Sequence, residues 1–130
     1  VALHAASINF DDWPAYREML GGYWEWQVTG HGPYRPGWEM HVVDRQHPIT
    51  QGVEDFTIHD ELYHSLRITR HVHTLMTTLW EGRLQPMAWV TTYHGAPIHY
   101  NALGHGPETF RSEPFRRLLV QGVRWAAAKA

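Results

Sequence analysis

The chain contains no cysteine. That removes disulfides, thiolate metal sites, iron–sulfur clusters and a cysteine nucleophile together, and leaves the redox compartment open. There is no basic surplus. Eleven Lys and Arg stand against thirteen Asp and Glu, a formal charge of −2, so nothing in the balance points to nucleic acid. No run approaches the roughly 18 apolar residues of a membrane-spanning helix. A Gly-rich phosphate loop is missing too. Gly21-Gly22 has the spacing of neither a P-loop nor a dinucleotide fingerprint, so no nucleotide cofactor is expected. Ser7 and Ser65 lie in no G-x-S-x-G context, which argues against a serine hydrolase. The opening Val1-Ala2-Leu3 lacks a basic n-region and a small-residue cleavage site, so it does not read as a signal peptide. It also lacks an initiator Met, so an upstream segment is expected. The cytoplasm is the favoured compartment, with an exported form left open.

What is present is a globular composition, 43% hydrophobic and 18% charged over 130 residues. This suits one domain or part of a larger α/β domain. Eleven histidines and seven tryptophans stand out. Histidine is the commonest metal ligand and titrates near neutrality. Tryptophan fills cores or offers a flat wall to a sugar ring.

Val1–Leu3 reads as the end of a buried strand. Asp11 or Asp12 can cap a helix with Pro14 in its first turn, apolar positions at Trp13, Tyr16, Met19 and Leu20, and a stop at Gly21-Gly22. Strands are expected at Trp38–Val43, Phe56–Ile58, Leu66–Thr69, Val72–Trp80, Pro86–Tyr93 and Ile98–Leu103, with turns at Glu81-Gly82-Arg83 and Gly95-Ala96-Pro97. Ser112 can cap a last helix carrying the stripe Phe115, Leu118, Leu119, Val123 and Ala126. The order suggests α/β. Two helices are few for covering both faces of a parallel sheet.

His4 follows an apolar strand and precedes small residues that permit a sharp turn, a position where open α/β sheets place their sites. His105 repeats the arrangement after Ile98–Leu103. If the two strands are parallel neighbours, both histidines share one rim, as general acid and base or as two ligands of a metal. Glu61, in the pair Asp60-Glu61 after a strand, can be a ligand, a base or an orienting group; Asp60 can equally cap a helix starting there. His31 sits in a Gly-rich turn, open to solvent. Trp24, Trp26 and Trp38 flank that segment and are the candidates for a sugar-stacking wall. His71 and His73 share a strand face without a strong case for metal.

Leu3-His4-Ala5-Ala6, Trp13-Pro14 with Tyr16, Leu20-Gly21-Gly22, His47-Pro48-Ile49-Thr50 with Gly52, Asp60-Glu61-Leu62-Tyr63, Ala88-Trp89, Tyr100, Ala102-Leu103-Gly104-His105 and Trp125-Ala126 follow one another through the chain. In that order they resemble the trehalose-utilisation (ThuA-like) family. The resemblance implies a class I glutamine-amidotransferase-like fold, a flavodoxin-like, mostly parallel sheet with flanking helices, here represented by its C-terminal portion. It implies His4 at the place of the glutaminase nucleophile and His105 at that of the triad histidine. It also implies a role in the metabolism of trehalose or related disaccharides through keto-sugars. A divalent metal such as zinc would be held by His4, His105 and Glu61. His94-Gly95-Ala96-Pro97 departs from the family's basic turn. The expected partner is a sugar, with neither nucleic acid nor membrane, and self-association is a further option. An enzyme acting through His4, His105 and Glu61, with His31, Trp24, Trp26 and Trp38 on the substrate, is the first expectation. A non-catalytic carbohydrate-binding domain is the alternative.

Overall fold

The computed structural model describes residues 1–129. Its centre is a six-stranded sheet. The strands are β1 (Ala2–Leu3), β4 (Arg35–Val42), β5 (Phe56–Asp60), β8 (His73–Trp80), β9 (Arg83–Tyr93) and β10 (Ala96–Asn101). Their spatial order is β1-β10-β9-β8-β4-β5. Two short ladders stand beside it: β2 (Gly22–Tyr23) with β7 (Arg67–Ile68), and β3 (Gly30–His31) with β6 (Tyr63–His64). The helices are a 3-10 turn at His4–Ser7, α1 (Pro14–Leu20), α2 (Pro107–Arg111) and α3 (Glu113–Lys129). Among the described residues no helix is long and apolar enough to cross a membrane.

The mostly parallel sheet is not what forms. Among the described residues only β1 and β10 run parallel, with Ala2 opposite Tyr100 and Leu3 opposite Asn101; every other pair there is antiparallel. The reason is local. Glu81 and Gly82 both have positive φ (48° and 74°), as do His94 and Gly95 (48° and 84°). Left-handed pairs of this kind make the two-residue turns whose twist matches an antiparallel hairpin. They fold β8, β9 and β10 into a meander.

α1 and α3 pack on opposite faces. Trp89 of β9 donates its indole N–H to the Leu20 carbonyl at 2.8 Å, on the α1 side. On the other side the His99 ring of β10 lies so close to Gly122 of α3 that a Cβ there would come within 2.5 Å of it. The side-chain period of two along β10 sends Tyr100 to the α1 side and His99 to the α3 side. Both are fully buried. α1 begins at Pro14 as expected, but neither Asp11 nor Asp12 caps it. Asp11 accepts instead from Trp26 Nε1 (2.6 Å) and Arg17 (3.2 Å). No helix starts at Asp60; β5 ends there. Ser112 does reach α3, with Oγ 3.5 Å from the Phe115 amide.

The sheet is curled, and the curl builds the site. β4 pairs with β5 through Arg35–Met40 but with β8 only at His41 and Val42. A register shift between Arg35 and Trp38 marks a bulge in this ribbon, with Gly37 at φ 87°, and bulges bend a strand and increase its twist. β5, an edge strand, is thereby carried round until Asp60 bonds the loop that follows β10.

Candidate functional site

β1 and β10 are parallel neighbours, so the residues after them emerge on the same rim. His4 follows β1 immediately, with φ 42°, a left-handed conformation that is uncommon for anything but glycine and costs on the order of 1 kcal/mol. Its surroundings hold it there. The Tyr100 hydroxyl donates to the His4 carbonyl at 2.8 Å, and the Ser7 hydroxyl reaches the same oxygen at 3.2 Å. The sharp turn turns the imidazole inward, where Tyr63 stacks on it at 4.1 Å between centroids.

His4 Nδ1 lies 2.8 Å from the Ala102 carbonyl oxygen. That oxygen only accepts, so the partner assigns the hydrogen to Nδ1. Nε2 then points its lone pair at two other groups: Glu61 Oε2 at 3.3 Å and His105 Nδ1 at 3.2 Å. The triangle closes with His105 Nδ1 to Glu61 Oε2 at 3.0 Å. The second carboxylate oxygen, Oε1, lies 2.8 Å from His31 Nδ1, whose hydrogen-bond partner is the Gly32 carbonyl at 3.1 Å. Exposure is graded: the side chains of His4 and Glu61 are 9% and 12% accessible, those of His105 and His31 42% and 52%. The cluster is buried on the His4 side and opens to solvent between His105 and His31.

His31 is carried in by the β3–β6 ladder, in which it pairs with Tyr63. Glycines on either side let this ladder sit tightly: a Cβ on Gly30 would meet the His64 ring at 2.7 Å, and one on Gly32 would meet Trp80 at 2.7 Å. Tyr34 leans over the open side, 5.0 Å from His105 and 4.5 Å from His59 between centroids. Burial, reinforced by the Glu61 and Asp60 charges, pushes the Tyr63 hydroxyl well above its ordinary pKa, so the ring over His4 stays neutral.

This donor set fits a divalent metal. The ligand atoms of His4, Glu61 and His105 lie together within 4.8 Å. Their separations of 3.0–3.3 Å match the roughly 3.3 Å edge of a tetrahedron with zinc–donor distances near 2.0–2.1 Å. His4 donates its other ring N–H to a backbone carbonyl, the kind of outer contact by which a ligating histidine is held in orientation. His4 Nε2 and Glu61 Oε2 both present lone pairs at 3.3 Å, a juxtaposition that calls for a proton or a cation between them.

The tryptophans divide. Trp38 is buried, with Trp80 on one side at 5.8 Å and the Arg35 guanidinium 3.7 Å over its ring. Trp24 is also buried, 4.9 Å from Tyr63 and 6.3 Å from His31. Both belong to the core cluster, so neither offers a free face as a wall. Trp26 is 60% exposed and touches Trp24 edge-on at 6.1 Å. His73 pairs with Asp44 at 2.7 Å rather than with His71. Sequence reasoning did not single out Tyr34 or Tyr63, because only the curl of β4–β5 and the β3–β6 ladder bring them to the rim. It left Asp60 between roles, and no local signal could have shown which loop that side chain reaches.

No curated protein matched the sequence. The solved structures similar to this chain include two ThuA-like proteins. A putative ThuA-like protein from Parabacteroides merdae superposes with a TM-score of 0.82 at 23% identity, covering 96% of this chain and 58% of that one. A putative ThuA-like protein from Bacteroides uniformis gives 0.75 at 23% identity, covering 98% and 57%. The chain thus spans under two-thirds of the length of either. The ThuA family model, described as trehalose utilisation, matches residues 1–126, and the chain belongs to that family.

Proposed function

We propose that the protein contributes to a sugar-modifying enzyme of carbohydrate metabolism, acting on trehalose, a related disaccharide or its keto form at the His4–Glu61–His105 centre. The observation that carries this reading is the convergence of His4 Nε2, Glu61 Oε2 and His105 Nδ1 within 3.3 Å at a partly open rim. Family membership supplies the carbohydrate context. The three residues would hold a divalent metal such as zinc. Bound there with an open position, such an ion would polarise a sugar carbonyl or lower the pKa of water.

The chain's own groups do the rest. His4 is locked by Ala102 and by the Tyr63 stack, so its Nε2 stays aimed at the cluster. His31 stands 2.8 Å from Oε1 on the solvent side of the Glu61 carboxylate, and Oε2 faces His4 and His105. Without a bound ion, His105, on the solvent side, would serve instead as the group that exchanges a proton between substrate and water. Trp26, exposed and edge-on to the Trp24 that neighbours His31, supplies a ring on which a sugar face can stack. The absence of cysteine excludes a thiolate route.

The test is incubation of the purified protein with trehalose, related disaccharides and their keto forms, with products read by mass spectrometry. Turnover that disappears in His4→Ala and His105→Ala supports the assignment. Turnover retained in both contradicts it. Sugar binding without turnover would favour a non-catalytic carbohydrate-binding domain on the same scaffold.

A further inference from the structure

We propose that Asp60 is the positioning residue of this centre, a buried carboxylate that sets the separation of Glu61 from His105 and His4. The proposal deepens the reading above and rests on it.

Asp60 is fully buried, and among the described residues no cationic side chain pairs with it. Both its oxygens are spent on backbone N–H groups: Oδ1 accepts from Glu61 at 2.7 Å and from His105 at 3.0 Å, and Oδ2 accepts from Gly104 at 2.8 Å. A carboxylate is costly to bury unless hydrogen-bonded, and packing alone would be served by an apolar side chain. What this carboxylate achieves is a junction. β5 and β10 are not neighbours in the sheet, so no ladder fixes the end of one against the end of the other. The loop after β10 is tied back to β9 and β10 by Ala102 N–H to the Met87 carbonyl and by Leu103 N–H to Asn101. Across to β5 the loop is tied by Asp60, and the helix that follows it, α2, by the Thr109 hydroxyl to the His59 carbonyl.

The same loop carries the Ala102 oxygen that orients His4. A shift of the loop relative to β5 therefore moves both imidazoles against Glu61. Gly104 is matched to the clamp: its φ of 133° lies where residues with a Cβ rarely go, and it lets two successive N–H groups face one carboxylate.

The experiment compares wild type, Asp60→Asn and the mild core control Ile58→Val on the same strand. Histidine side-chain 15N signals are recorded without metal, and zinc affinity is then measured by competition with a chromophoric chelator. In Asp60→Asn an amide NH2 replaces one acceptor and opposes an N–H donor. The His105 and His4 ring signals should move and zinc affinity should fall 10–100-fold, the usual range for a partner that orients a ligand. Ile58→Val should leave both unchanged. Unmoved ring signals in folded Asp60→Asn overturn the proposal. If wild type takes up no zinc, the metal reading fails while the ring signals still decide on Asp60. If Asp60→Asn does not fold, amide exchange in the wild type decides: protected Gly104 and His105 amides support the clamp, and unprotected ones overturn it.

Discussion

His4 donates its Nδ1 hydrogen to the Ala102 carbonyl at 2.8 Å, across 98 residues of sequence. That bond fixes the tautomer, and with it which face of the imidazole can take a proton or a metal. It also joins the two halves of the rim, because Ala102 follows β10 and leads into His105. Four predictions follow from this arrangement and the packing behind it.

Glu61 is the hub, bonded or opposed to three histidines at once. Glu61→Gln keeps the shape and removes the charge. Zinc affinity is expected to fall at least tenfold, with thermal stability little changed, as read by chelator competition and calorimetry. Undiminished affinity would show that the carboxylate is not a ligand.

His99 is fully buried behind α3, with Nδ1 bonded to the Trp89 carbonyl and Nε2 unpartnered. Burial drives its pKa down to about 4 from an ordinary value of 6.5. The unfolded chain therefore binds this proton at a higher pH than the fold does. The neutral ring's contribution is complete above pH 6.5 and is lost as pH falls toward 4. Between pH 7 and 5 the loss is about 2 kcal/mol. Denaturant midpoints at the two pH values should show a smaller drop in His99→Gln than in wild type. An identical drop would mean that His99 does not drive the acid sensitivity.

Gly122 faces the same ring. A Cβ there would stand 2.5 Å from His99 Cδ2 and 3.1 Å from Nε2. Gly→Ala in a helix interior is ordinarily favourable by about 1 kcal/mol, but overpacking costs about 1–3 kcal/mol. Gly122→Ala is expected to lower Tm. A raised Tm would mean that α3 can move off β10 without cost.

Trp26 is 60% exposed and edge-on to Trp24, the neighbour of His31, while Trp38 is sealed in the core. If a sugar stacks there, trehalose or its keto form should quench tryptophan fluorescence in wild type, and Trp26→Ala should weaken binding about tenfold, within the 0.5–1.5 kcal/mol typical of ring contacts. Zinc affinity should be unchanged. Equal sugar affinity in the variant would remove Trp26 from the substrate site.

The rim histidines were legible because each follows a short apolar strand and precedes a turn, and because their strands did prove to be parallel neighbours. Glu61 was legible as a carboxylate at a strand end. Strand direction departs from the parallel sheet that the family likeness implies, because Glu81-Gly82 and His94-Gly95 are hairpin turns that fix three strands as antiparallel. Trp24 and Trp38 could not be placed by composition. A ring's free face depends on distant neighbours, here Tyr63 for one and Trp80 and Arg35 for the other. Asp60 was ambiguous for the same reason. Its partners lie 44 and 45 residues away, and only the curl of β4 and β5 brings them within reach.

On the proposed reading, His4, Glu61 and His105 together hold a divalent ion. Its most direct test is elemental analysis of protein purified without chelator, followed by zinc titration of wild type, His4→Ala, Glu61→Gln and His105→Ala. About one metal per chain is expected in wild type and a marked loss in each variant. A wild type that neither carries nor takes up zinc, or three variants that bind it as wild type does, would contradict the claim.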